Sequence, residues 1–123
     1  MRVIVCGGRD YGLTDDERGY ILDELLDFHE RKGEITHLLA SDAYGVASVA
    51  ADWAMANGIE ATCVCPNFEE FGRAAVAVCH AGMLKDFDVD FVIAFHGGVD
   101  TEDLVHKAAV AGVPVHIILK EAG

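Results

Sequence analysis

Val3-Ile4-Val5-Cys6-Gly7-Gly8-Arg9-Asp10-Tyr11 is the stretch from which the rest of the chain is read. Three β-branched residues in a row suit a short buried strand. The two glycines after it let the backbone turn tightly and approach another group closely. Arg9 adds a planar, permanently charged fork that suits phosphate or carboxylate. A second version of this pattern lies near the end of the chain. Phe91-Val92-Ile93-Ala94-Phe95 is another apolar strand, and His96-Gly97-Gly98-Val99-Asp100-Thr101 turns it into a helix. Two strand–Gly-Gly turns in one small chain predict a ligand crevice at the carboxyl ends of adjacent parallel strands.

Between these two turns the pattern alternates. A strand over residues 2–6 is followed by Thr14-Asp15-Asp16-Glu17, which opens a helix as a capping box, with Thr14 as the cap and Glu17 three residues on. Ile21, Leu22, Leu25 and Leu26 supply that helix's apolar stripe, and Lys32-Gly33 stops it. A strand over 36–40 leads through Ser41-Asp42-Ala43-Tyr44-Gly45 to a small-residue helix over 46–56. A strand over 60–64 is broken by Pro66-Asn67 and followed by a helix over 69–85. The middle of that helix, 74–79, is apolar on every face, which predicts burial on more than one side and self-association as a homodimer or larger oligomer. A strand over 90–95, a helix over 101–111 and a strand over 115–119 complete the order. Right-handed crossovers then give an α/β, Rossmann-like, three-layer domain over residues 1–123. Its parallel five-stranded sheet is expected in the order 3-2-1-4-5. The switch point falls between strands one and four, the two that end in Gly-Gly.

Composition bounds the partners. The chain is 52% hydrophobic, which excludes disorder, and no apolar run reaches membrane-spanning length. A strand follows Met1 at once, so no signal peptide is expected. Acids outnumber lysine plus arginine 21 to 9, for a net charge of −12, and no basic run is present. Such a surface repels nucleic acid, and no membrane partner is expected. Four cysteines without a CxxC spacing suggest a reduced, cytoplasmic protein. Cys63 and Cys65 are expected on opposite faces of their strand, with no paired-thiol site.

The first motif, together with Gly72-Arg73-Ala74-Ala75 and Phe95-x-Gly97-Gly98-x-x-Thr101-x-Asp103, resembles the YspA-like, YpsA-related branch of the SLOG superfamily. The resemblance covers nearly the whole chain. It implies a Rossmann-like fold that binds a nucleotide or nucleotide-derived ligand. It also implies a distant relation to DNA-processing protein A and to the lysine-decarboxylase-like phosphoribohydrolases. At three places where the family carries arginine, this chain has Tyr44, Cys79-His80 and Val99. Each lost guanidinium removes a bidentate anion contact, so a ligand with fewer phosphates, or none, is expected. The phosphoribohydrolases use a glutamate near Glu102-Asp103-Leu104, where leucine holds the best-matching position and Asp103 is the remaining carboxylate.

The candidate ligand-binding residues are therefore Gly7, Gly8, Arg9, Asp10, Asp42, Tyr44, Arg73, Gly97, Gly98 and Thr101. Each has a plainer reading beside it. The glycines are equally suited to a structural turn. Asp42 can hold ribose hydroxyls or cap a helix, and Thr101 or Asp100 can cap the last helix. The competing function is a small-molecule hydrolase, with His80, His96, Asp42 and Cys79 as catalytic candidates. Cys79 and His80 lie about 100° apart on a helix, so they cannot act on one another, and Cys79 alone suits a buried small hydrophobe. No cofactor is assigned. A divalent metal held by His80, His96, Asp10 and Asp42 has no recognised spacing behind it.

Overall fold

A computed structural model describes residues 1–41 and 44–119. Its elements are β1 (Arg2–Cys6), α1 (Asp15–Arg31), β2 (His37–Ala40), α2 (Val46–Ala56), β3 (Glu60–Cys63), α3 (Phe68–Phe71), α4 (Ala75–Asp86), β4 (Phe91–Ala94), α5 (Val99–Ala111) and β5 (Val115–Ile117). A single 3-10 turn, Gly72–Ala74, joins α3 to α4. The five strands form one sheet in the order β3-β2-β1-β4-β5, and every pairing is parallel. This is the order that the alternation of strands and helices predicts.

The pleat sorts the core into two layers. Val3 and Val5 of β1, Leu38 of β2 and Ile93 of β4 face α1 and α2, where they meet Ile21, Leu25, Phe28, Ala50 and Trp53. Their sequence neighbours Ile4, Leu39 and Val92 face the other way, toward Cys79 and Met83 of α4 and Leu104 and Ala108 of α5. Adjacent residues of a strand point to opposite faces, so a central strand covered on both sides must be apolar throughout. Val3, Ile4 and Val5 are all fully buried.

Two helices differ from the reading of their sequence. The buried stripe of α1 is Ile21, Leu25 and Phe28, spaced i, i+4, i+7, while Leu22 and Leu26 lie one step round the helix and stay exposed. The stretch read as one helix over 69–85 is broken. Gly72 takes φ 53°, a left-handed turn that ends α3, and α4 starts afresh at Ala75. Ala75, Cys79, His80 and Met83 form the buried face of α4, and Val78 is exposed. Within one chain, then, α4 is covered on one side. Among the described residues, no helix is long and apolar enough to cross a membrane.

The first turn of α1 also fixes the loop before it. Thr14 Oγ1 accepts from the Glu17 N–H at 3.1 Å. Glu17 reaches back past the cap and accepts from the N–H groups of Gly12 (2.9 Å) and Leu13 (3.1 Å). Arg18 donates to the carbonyls of the same two residues. The loop that carries Arg9 and Tyr11 is thereby tied at its far end.

Candidate functional site

The carboxyl ends of β1 and β4 are joined beyond the strands themselves. The Phe95 N–H donates to Cys6 O and the Gly8 N–H donates to His96 O, both at 2.8 Å. Gly8 O in turn accepts from the Val46 N–H at the start of α2, at 3.2 Å. The three loops that follow β1, β2 and β4 therefore share one backbone hydrogen-bond network.

This closeness explains most of the glycines. A Cβ on Gly7 would sit 2.6 Å from Val46 Cγ2, and one on Gly97 would sit 2.2 Å from Thr101 Oγ1 and 2.9 Å from Gly8 N. Gly45 takes φ 56°, with Gly8 O only 2.3 Å from where its Cβ would be. At Gly8 the nearest atom would be Asp10 Oδ1 at 2.8 Å. These glycines let the loops pack on one another, and the turn reading accounts for them without a ligand. Gly98 differs: a Cβ there would meet nothing within 4 Å.

Beside the loops lies an open cavity of about 540 Å3. That volume falls in the range of small-molecule sites, and the position is the switch point of a doubly wound sheet. Gly7, Gly8, Arg9 and Asp10 line it from β1, and Ser41 and Tyr44 from the loop after β2. Gly98, Val99, Asp100 and Thr101 line it from the start of α5, and His80 from α4. The cap of α5 is Gly98, with no side-chain hydrogen bond to the first turn. This corrects the reading of Asp100 or Thr101 as the cap, since both stand inside the helix. Uncapped first-turn N–H groups favour an anion. Arg9 is the one guanidinium among the described lining residues, and it stacks 4.6 Å over the Tyr44 ring. The Tyr44 ring thus braces the guanidinium of Arg9 at the cavity wall.

The other candidates separate. Arg73 is exposed in the 3-10 turn after α3 and does not line the cavity. His96 is exposed, and its ring packs edge-on against Tyr11 at 5.6 Å, so it does not join His80 in one site. The Cys79 thiol donates to Val64 O at 3.1 Å. Burial, and then the neighbouring Cys63 and Cys65, push its pKa up, so it stands as a neutral buried thiol rather than a nucleophile. Burial likewise pushes Cys6 to about 12. Asp42 lies outside the described residues. Among the described residues, no group of three or more His, Cys, Asp or Glu side chains is placed to hold a metal ion.

Cys63 and Cys65 correct their expectation. Residues two apart in an extended chain share a face, and the two sulfurs lie 4.0 Å apart, both exposed and both on the cavity wall.

His80 has partners that the spacing of the sequence does not announce. It is 2% exposed. Its Nδ1 lies 2.9 Å from Asp103 Oδ2 on α5, and its Nε2 lies 3.3 Å from Ser41 Oγ at the end of β2. Lys107 holds the other oxygen of Asp103. Burial pushes the Asp103 carboxyl up, but the hydrogen bonds from Lys107 and His80 and their charges outweigh it and hold it below the usual carboxylate range. Ser41 and Asp103 are 39 and 23 residues from His80. Only the position of Ser41 at a carboxyl strand edge marks it in the sequence.

No family model matches the chain. No curated protein matches it either. Among solved structures, one described as the X-ray structure of TM1055, a structural-genomics target, matches over 93% of this chain and 71% of its own, with a TM-score of 0.69 at 15% identity. The likeness is one of fold. It supports the Rossmann-like α/β fold, and it carries no residue role from one chain to the other.

Proposed function

We propose that this chain is a SLOG-type, Rossmann-like domain that binds a small nucleotide-derived or similar ligand in the crevice between its two Gly-Gly loops. The observation that carries this is the convergence of Arg9 and the uncapped first turn of α5 on one cavity at the β1–β4 switch point. Among the described lining residues, two carboxylates, Asp10 and Asp100, stand against one guanidinium. That balance favours a ligand with one anionic group over a polyphosphate. Four cysteines with no disulfide among them fit a reducing, cytoplasmic setting, and self-association through the helix around Ala74 to Met83 belongs to the same reading. A second reading, a hydrolase at this edge, is favoured by the His80–Asp103 pair.

Thermal denaturation with adenosine, adenosine monophosphate and adenosine diphosphate, and then with the other nucleosides and their phosphates, tests the binding reading. A ligand at 100 times its Kd stabilises the fold by about 2.7 kcal/mol. The monophosphate is expected to shift the midpoint more than the nucleoside or the diphosphate. No shift across the panel contradicts the proposal.

A further inference from the structure

We propose that Ser41, His80 and Asp103 form a nucleophile–base relay that hydrolyses a small carboxylic ester in this cavity. The inference rests on the cavity being a ligand site, but not on the ligand being a nucleotide. Three parts of the fold bring the groups together: Ser41 follows directly on β2, His80 sits on α4 and Asp103 on α5. The order of contacts is that of a serine hydrolase: hydroxyl to Nε2, Nδ1 to carboxylate. The 3.3 Å from Ser41 Oγ to His80 Nε2 suits a resting pair, which tightens when substrate is bound.

The protonation states follow from the neighbours. Lys107 pins one oxygen of Asp103 and keeps the carboxyl ionised at neutral pH. An ionised Asp103 accepts from Nδ1–H, which turns Nε2 toward the Ser41 hydroxyl. Ser41 and His80 both line the cavity, so the hydroxyl meets a bound molecule while the imidazole stays shielded. Cys6 and Cys79 are held as neutral thiols and do not compete.

An ester fits the donors present. As Ser41 Oγ attacks the carbonyl carbon, its proton passes to His80 Nε2 and the C=O electron pair moves to oxygen. The α5 first turn, which has no side-chain cap, lines the same cavity, and its N–H groups suit that single developing charge. Collapse of the tetrahedral adduct breaks the C–O bond to the alcohol, which leaves with the proton from Nε2. Water then gives a proton to His80 and attacks the acyl-serine. Ser41 takes the proton back, and a carboxylic acid is released. The sum is ester plus water to acid plus alcohol. Phosphoryl transfer, which spreads charge over three oxygens, has a single arginine to meet it among the described lining residues.

The test uses the intact chain, a short-chain alkyl fluorophosphonate and p-nitrophenyl acetate. Peptide mass spectrometry is expected to find the phosphonate on Ser41, with ester turnover blocked in parallel. Ser41→Ala abolishes both with the melting temperature unchanged. His80 is buried, so its replacement risks the fold, and Asp103→Asn is the second variant. Asp103 acts here as a positioning residue, and its loss slows labelling by about 10²–10⁴-fold. In ester turnover the loss falls on kcat with KM little changed, as expected of a group that acts through His80. No Ser41 adduct, an adduct on Cys63 or Cys65 instead, or Ser41 labelling indifferent to Asp103→Asn overturns the proposal. A nucleotide thermal shift without a Ser41 adduct leaves the binding reading standing and ends this one, and an adduct without a shift does the reverse.

Discussion

Gly97 and Gly98 adjoin in sequence, but different constraints act on them. A methyl group on Gly97 strikes Thr101 Oγ1 and the Gly8 backbone, whereas one on Gly98 enters open space beside the cavity. Gly97→Ala is therefore expected to lower stability by about 1–3 kcal/mol through overpacking. Gly98→Ala should stay within about 0.5 kcal/mol of the parent and weaken ligand binding instead. Urea denaturation of the two variants checks the first half, and titration with the nucleotide that binds best checks the second. Equal stability loss at both positions contradicts the packing account. The sequence marked both glycines but could not divide them, because the division depends on what stands across the loop. The same holds for His80, whose partners come from two distant strand and helix ends. Cys79, its neighbour, reads as a small hydrophobe, and its thiol is spent on Val64 O.

At the scale of elements, the capping residues of α1 were readable because their contacts are local. Thr14→Ala is expected to cost about 1 kcal/mol, as the Glu17 N–H loses its acceptor. Glu17→Gln should also loosen Gly12 and Leu13, which amide exchange in that loop would detect. The break before α4 was missed because Gly72 sits inside an otherwise helical pattern, and tertiary packing decides whether such a glycine bends or stops a helix. The tie between α4 and α5 has a pH dependence. Asp103 titrates lower in the folded chain than its ordinary 3.8, so its stabilising contribution is complete above that value. The contribution is lost as the pH falls through the lower folded pKa. Melting curves of the parent and Asp103→Asn should differ at pH 6, and the gap should close as the pH drops below about 4. A gap that persists in acid contradicts the ionic tie.

For the whole molecule, strand order was legible because parallel neighbours require crossovers of one hand, and the alternation of elements then leaves few topologies. The cavity's location followed from the switch point. Its wall did not, since Ser41, Cys63, Cys65 and Val76 reach it from the carboxyl ends of β2 and β3 and from α4 through long-range packing. Beyond the cavity, Phe71 and Val78 remain exposed on α3 and α4, next to the single buried face of α4. Sedimentation is expected to show a dimer that Val78→Glu weakens, and a monomer at all concentrations contradicts that expectation.

The central claim is that the edge between β1 and β4 holds a small ligand, and amide NMR on the intact chain addresses it most directly. Titration with adenosine monophosphate, followed by the other nucleoside monophosphates, is expected to shift the resonances of Arg9, Asp10, Gly98, Val99 and Asp100 while the far ends of the strands stay unchanged. Unmoved resonances at this edge with every nucleotide, or shifts centred at the opposite end of the sheet, contradict the account.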